Sequence, residues 1–521
     1  MKGRAMDRQE PLKGSERRAP ITYVAHVAHV AHVAHVGAAE RAGRPVLRAT
    51  VLAASVALTL LPGCATGPDY RKPVPAELGI PAEYKNQEGW KLAEPADQIE
   101  RGAWWKIFRD PALDTLAAQV DVSNNNVLLA AAQYRQARAL ADAAHAGLYP
   151  TVTGTAAATR SGNGGGSTVS GNATSSTSYR ANAALSWEVD LWGRLSRTAE
   201  SRDAALAASA ADLANARLSA QALLVRNYFQ LRIADAQKRL LEASIAAFER
   251  SLELTRNRYN AGVAARTDVI QAETQLRSTQ VQALALDVTR NQLENAIAVL
   301  VGRAPAAVRV AAAPLATQLP AIPSPGLPSS LLERRPDIAA AERRMAAANA
   351  SIGVAMAAFF PSLTLSASAG LANPVLGNLI SAPSRIWSFG PTLAATLFDA
   401  GLRRAQTEQA QGQYDATVAT YRQTVLTGLR EVEDNLIALR VLEEEARVQD
   451  QAVAAARLGV DLLTNQYKAG LVSFLNVVTA QTTALTNERS ALSILGNRLD
   501  ALVGLVVATG GGWTAPASGN P

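Results

Sequence analysis

A single cysteine, Cys64, in a chain of 521 residues excludes an intramolecular disulfide framework and any cysteine-rich metal site. Histidine is almost as scarce. There are five, and four of them (His26, His29, His32, His35) fall in one tandem Val-Ala-His repeat. That repeat reads as translated upstream sequence ahead of the true start rather than as a metal-binding tract. The fifth, His145, lies in an alanine-rich helical stretch and reads as a surface or packing residue. No phosphate loop, nucleophile elbow or metal-ligand cluster appears after residue 63, so the sequence points to neither an enzyme nor a cofactor. Charged residues make up only 18%. In a long helical chain, that means many helix faces are covered by something other than water. The net charge is +7, but residues 1–63 hold nine Lys/Arg against four Asp/Glu, an excess of five, which leaves +2 for the rest. The folded part therefore lacks the basic patch of a nucleic-acid binder.

No run in the leader is long enough to span a bilayer. Arg41, Arg44 and Arg48 precede an apolar stretch from Ala49 to Leu61, too short for a transmembrane helix but suited to a signal-peptide core. It ends in Leu61-Pro62-Gly63-Cys64, a lipobox-like sequence with Pro62 an unusual occupant. Cys64 is the expected lipidation site and new N-terminus.

What the chain does have is a long internal duplication. Tyr259-Asn260-Ala261-Gly262 returns as Tyr467-Lys468-Ala469-Gly470, and the same spacing links Gly193 to Gly401, Leu185 to Leu393 and Asn227 to Asn435. A slightly longer spacing links Tyr149-Pro150 to Phe360-Pro361 and Val127 to Ile338. The expected organisation is a signal peptide with upstream extension (1–63), a lipid-anchored segment (64–111), repeat 1 (112–304), a Pro-rich linker (305–328), repeat 2 (329–508) and a flexible tail (509–521). Repeat 1 holds a strand hairpin (149–192) and a long helix pair (193–303). Repeat 2 holds the same, at 361–399 and 401–507.

Two periods alternate in each repeat. From Tyr179 to Leu191, Tyr179, Ala181, Ala183, Leu185, Trp187, Val189 and Leu191 interleave with Arg180, Asn182, Ala184, Ser186, Glu188 and Asp190, a period of two over about the length of a membrane strand. Leu363 to Leu371 and Trp387 to Leu397 alternate likewise, and Thr151 to Ala158 is a weaker fourth strand. Tyr149, Tyr179, Trp187, Trp192 and Trp387 suit interfacial girdles. The Gly/Ser/Thr-rich Ser161–Ser178 and the Pro-containing Ala372–Arg385 read as extracellular loops. The period then becomes helical. Leu241, Ile245, Phe248, Leu252, Thr255 and Tyr259 follow heptad spacing, as do Val453, Ala456, Val460, Leu463 and Tyr467. Neither Gly193–Arg258 nor Gly401–Gln466 contains proline, so each predicts a helix far longer than the globular norm. Ser330-Leu331-Leu332-Glu333 has the form of a capping box.

Four membrane strands cannot close a barrel, and an open sheet in lipid leaves unpaired backbone groups that cost several kcal/mol each. The strands must then be shared between chains, and three chains of four strands give an allowed even number. The expected fold is an α+β membrane protein: a trimeric 12-stranded β-barrel with four strands per chain, continuing into a long periplasmic α-helical barrel, with two internal repeats.

Several motifs in this order resemble the outer-membrane factor family of tripartite efflux pumps, in particular its NodT-type lipoprotein branch. They are Gly63-Cys64, Gly67-Pro68-Asp69-Tyr70, Trp187 to Arg194, Arg335-Pro336-Asp337-Ile338, Phe360-Pro361-Ser362-Leu363, Leu397 to Gly401 and the two Tyr-x-x-Gly tips. The resemblance implies a homotrimer anchored in outer-membrane lipid. Its implied partners are a periplasmic adaptor (membrane fusion) protein and an inner-membrane efflux pump, usually a proton-driven one in such systems, with no nucleic acid. It also implies a passive exit duct for drugs or toxic small solutes whose helix tips close like an iris. Carried over by residue, the tip positions are Tyr259, Gly262 and Asp268, and Tyr467 and Gly470. Some members place acidic residues just past the second tip, where this chain has Asn476 and Thr479. Asp268 reads either as a partner for Arg266 across the tip or as a helix-start residue favoured by the helix dipole. Rival readings are an outer-membrane conduit for type I protein secretion and a periplasmic coiled-coil structural or adaptor protein.

Overall fold

The computed structural model describes residues 66–81, 83–85, 103–162, 175–315, 320 and 328–511. Cys64 and the leader lie outside the described residues, as does most of the tail.

Two short helices begin the ordered helical part, α1 (Pro111–Ser123) and α2 (Asn125–Ala146). Each has a side-chain cap. The Asp110 carboxylate accepts from the Ala112 and Leu113 N–H groups, and the Asn124 amide oxygen from those of Asn126 and Val127. Strands β1 (Thr151–Gly162) and β2 (Ser175–Val189) follow, then the long helix α3 (Arg194–Asn260) and its return α4 (Arg266–Leu300). After the linker come α5 (Pro336–Ala357), β3 (Ser362–Asn373), β4 (Arg385–Ala394), the long α6 (Leu402–Lys468) and its return α7 (Phe474–Ala508). Both long helices have 67 residues and both returns 35. A 67-residue helix extends about 100 Å at 1.5 Å per residue.

The four strands form one antiparallel sheet in the order β1-β2-β3-β4. They are longer at the loop end than the alternation predicts. β1 continues through Ser161 and Gly162, and β2 already begins at Ser175. These Ser, Thr and Gly residues read as loop by composition, yet they pair across the hairpin, with Ser161 and Ser176 hydroxyls 3.0 Å apart. β4 stops at Ala394, so Thr396 and Leu397 lie past its end.

Below the sheet, α3 packs on α5, α4, α2 and α7, and α6 packs on α7 and α5. Leu224, Leu231, Tyr228, Ile297 and Val503 join one core, and Ile338, Met345, Tyr421, Val432, Leu436 and Leu505 another. Helix α7 is apolar and long enough to cross a membrane, but half of its most apolar window is buried against its neighbours. Its composition therefore belongs to a core helix.

Two buried ionic clusters fix how the chain returns from one half to the other. Arg232 and Arg290 both reach Asp235, at 3.3 and 2.8 Å. They also donate to the Ala311 and Val310 carbonyls, and Glu294 accepts the Val310 N–H at 2.7 Å and an Arg309 Nη1 hydrogen bond at 3.1 Å. The segment after α4 is thus stitched along α3 and α4 by charge-assisted bonds. The second cluster explains Arg335-Pro336-Asp337-Ile338. Pro336 takes the first turn of α5, where its missing N–H costs nothing. Arg335 is buried and donates to Asp337, Glu431 and the Ala508 carbonyl, joining α5, α6 and the end of α7. Burial opposes the Arg335 charge, but these carboxylates outweigh it and raise the guanidinium's pKa. Of the capping box expected just before this motif, the Ser330 half is not made. Ser330 already has helical backbone angles, so its hydroxyl does not cap the following turn.

Candidate functional site

In an antiparallel sheet, directly paired residues share a face. The register therefore sorts the sheet into two faces. Val152 pairs with Leu185, Trp187 with Leu365, and Ala367 with Phe389, so these side chains lie on one face. The opposite face carries Thr153, Thr155, Asn182, Ser186, Thr364 and Ser388. Val152, Trp387, Phe389 and Leu393 are 66–81% exposed on the apolar face. A water-facing sheet does not leave large apolar side chains bare in this way. The polar face is held by hydroxyl pairs such as Ser368 with Ser388 at 2.8 Å. Arg180 is the basic residue of this face and Glu188 its acidic one, the latter bound by both Nε and Nη2 of Arg194.

The junction between sheet and helices is built from tryptophan and backbone. Trp192 Nε1 donates to the Pro361 carbonyl at 2.7 Å and its ring stacks on Phe360, with centroids 4.8 Å apart. Trp187 Nε1 donates to the Leu148 carbonyl at 2.9 Å. Asp190 caps α3 by accepting the Leu195 and Ser196 N–H groups. His145 Nε2 lies within hydrogen-bond distance of the Asp203 carboxylate, at 2.9 Å, on the half-exposed surface just below, in keeping with a surface residue.

The segment that follows Cys64 docks at this junction. Thr66 N–H and Oγ1 both donate to the Trp192 carbonyl, Arg197 Nη2 donates to Asp69, Asn349 to the Pro68 carbonyl, and the Tyr70 hydroxyl to Glu342. Two glycines permit the approach. A Cβ on Gly67, whose φ is +98°, would lie 2.5 Å from Gly353 Cα. The chain two residues from Cys64 is therefore fixed beside the base of the sheet.

At the far end, each long helix reverses at a glycine with φ of +77°, Gly262 and Gly470. The turns close by the same pair of bonds: Val263 N–H to the Arg258 carbonyl and Gly262 N–H to the Tyr259 carbonyl, matched by Leu471 to Gln466 and Gly470 to Tyr467. The two tips differ in their surroundings. Tyr467 is buried against Phe474, with ring centroids 5.2 Å apart, whereas Tyr259 is 43% exposed. Arg258 links the tips: its Nη1 donates to the Lys468 carbonyl at 2.9 Å and its guanidinium lies 4.8 Å over the Tyr467 ring. Asp268 stands in the first turn of α4, where a carboxylate favours the positive helix end. Among the described residues, Arg266 and Asp268 form no ion pair. Asn476 occupies the corresponding turn of α7, its N–H bonded to the Ser473 carbonyl, and Thr479 bonds back to the Leu475 carbonyl. Arg258 is the tip residue that the sequence reading missed. The signal was available, because the matching position of the second repeat holds Gln466.

Comparison with known proteins gives this architecture its family. The model of the family described as outer membrane efflux protein matches residues 116–303 and again 327–511. The chain belongs to the outer membrane efflux protein family. A probable efflux pump outer membrane protein of Pseudomonas putida, TtgC, is 33% identical over 479 residues, covering 89% of this chain and 96% of that protein. The solved outer-membrane channel OprN superposes with a TM-score of 0.77 at 32% identity, over 86% of this chain and 99% of that one. The open state of the Neisseria gonorrhoeae MtrE outer membrane channel gives 0.76 at 27% identity, over 88% and 100%. This efflux protein is accordingly the outer-membrane channel component of an efflux system. Its sheet and its long helices are the parts that the structure builds for that task.

Proposed function

We propose that the chain assembles as a homotrimer in which three four-stranded sheets close a twelve-stranded barrel and the long helices continue it as a periplasmic tube. The observation that carries this reading is the sheet order β1-β2-β3-β4, which leaves β1 and β4 as edges beside an exposed apolar face. In lipid such edges are untenable, and pairing β4 of one chain with β1 of the next removes them. The apolar face then meets lipid and the Ser/Thr face lines the pore. Each chain contributes two copies of one unit, which accounts for the equal helix lengths.

The assembled duct serves as the passive exit of a tripartite pump of the proton-driven type and carries drugs or toxic small solutes. A periplasmic adaptor and an inner-membrane pump complete the path, and the energy comes from the pump. The lipid on Cys64 anchors the chain in the inner leaflet. That placement agrees with Thr66 docking on Trp192 at the base of the sheet. The tips form the closed end, with Arg258 and Tyr467 holding one hairpin to the other, and Tyr259, Gly262, Arg266, Asp268, Gly470, Asn476 and Thr479 around them. The test is outer-membrane fractionation with gel migration before and after heating. The reading expects a heat-modifiable oligomer in the outer-membrane fraction, and a soluble protein whose migration ignores heating would refute it.

A further inference from the structure

On the apolar face of the sheet, only two charged residues occur among the described strand positions. Arg160 shares that face because it pairs with Thr177, and Arg385 because it pairs with Leu371. Both are arginines, both are exposed, and both stand at the loop end of their strand. Neither makes an ion pair among the described residues. The loop end is also where the apolar face turns polar, with Thr177 and Asn373 beside Tyr179. A lipid-facing arginine costs about 2–4 kcal/mol at the bilayer midplane and about 0–1 near the interface. The position therefore explains why these charges are tolerated, but not why both are positive.

β1 and β4 are the two edge strands. This inference rests on the trimeric barrel, because closing it brings β4 of one chain beside β1 of the next. Each seam then carries Arg385 from one chain and Arg160 from its neighbour, on the lipid side, at the extracellular end. Two unpaired guanidinium groups so placed repel each other unless an anion lies between them. The outer leaflet of a bacterial outer membrane supplies one, since the lipid A of lipopolysaccharide carries phosphate esters at the depth where acyl chains meet sugar. Guanidinium binds phosphate through paired N–H bonds, a geometry that an ammonium cannot reproduce.

We propose that each subunit seam is a lipid A site, in which Arg160 and Arg385 of adjacent chains hold one phosphate and the apolar strand face below packs the acyl chains.

The experiment is native mass spectrometry of the purified trimer in detergent, titrated with phosphorylated lipid A. Wild-type protein should retain up to three lipid A molecules per trimer. Arg160→Gln with Arg385→Gln should bind about a hundredfold more weakly, roughly tenfold for each charge-assisted contact removed. The double Lys variant should fall between, and dephosphorylated lipid A should bind wild type as poorly as phosphorylated lipid A binds the Gln variant. Equal retention by wild type and the Gln variant would overturn the site. So would phosphatidylglycerol binding as tightly as lipid A, which would mark a general anionic surface. The protein mass in the same spectra reports assembly separately. Single chains would overturn the trimer itself, whereas intact trimers with indifferent lipid binding would overturn only the lipid A site.

Discussion

Replacing Arg258 with alanine should loosen the closed tip more than replacing any acidic residue there. Arg258 makes two contacts that cross between hairpins, the hydrogen bond to the Lys468 carbonyl at 2.9 Å and the stacking over Tyr467 at 4.8 Å. Because the contact touches water, the charged hydrogen bond is worth about 1 kcal/mol rather than its dry value. The cation–π contact adds about 0.5–1 kcal/mol at such a site. Their loss shifts the opening equilibrium by about 1.5–2 kcal/mol, roughly tenfold to thirtyfold. Asp268 has no ion pair among the described residues and contributes mainly through the helix dipole, worth about 0.3–1 kcal/mol. Single-channel recording in planar bilayers should therefore show a clear rise in open probability for Arg258→Ala, a smaller one for Asp268→Ala, and an intermediate one for Arg258→Lys. An Arg258→Ala channel with wild-type conductance and open probability would refute the latch, and a larger effect of Asp268→Ala would invert the ranking.

Tyr467 separates ring from hydroxyl, because its ring is buried on Phe474 while its buried hydroxyl has no hydrogen-bond partner among the described residues. Tyr467→Phe should leave thermal stability unchanged or slightly raised, whereas Tyr467→Ala should cost about 3–5 kcal/mol; equal losses would contradict this division. For Glu294, burial works to raise the carboxyl pKa, but the Val310 N–H, Arg309 and Arg290 outweigh it and hold it below the ordinary range. A depressed carboxylate lends stability above its unfolded pKa of about 4.3, and that stability is lost as pH falls through the depressed value. Proteolysis near Arg309 should therefore accelerate below about pH 4 in wild type, and Glu294→Gln should be fast already at neutral pH; identical profiles would count against the clamp. Radioactive fatty acid should label the wild-type protein and leave Cys64→Ser unlabelled, and an unlabelled wild type would remove the anchor.

The regular elements were legible because each follows from a repeating pattern. The alternation from Tyr179 announces β2, and proline-free stretches closed by Gly262 and Gly470 announce the long helices. Strand ends were less legible, since residues such as Ser161 and Ser176 have loop composition and owe their strand state to cross-strand pairing. Ser330 fails as a cap because its backbone is already helical, which no local motif reveals. The clamp of Arg232, Asp235, Arg290 and Glu294 joins segments that are far apart in sequence, and no spacing rule connects them. The same is true of Thr66 on Trp192. The tips were half visible. Their glycines and tyrosines stand out by repetition, while Arg258 matters because it departs from the repeat, and its contact depends on how the hairpins pack.

A four-stranded sheet is too narrow to close on itself, and the proposed assembly has it completed by other chains. Sedimentation equilibrium in density-matched detergent weighs the protein alone and tests this directly. A particle of three chains is the predicted result, and a stable membrane-inserted particle of one chain would contradict it.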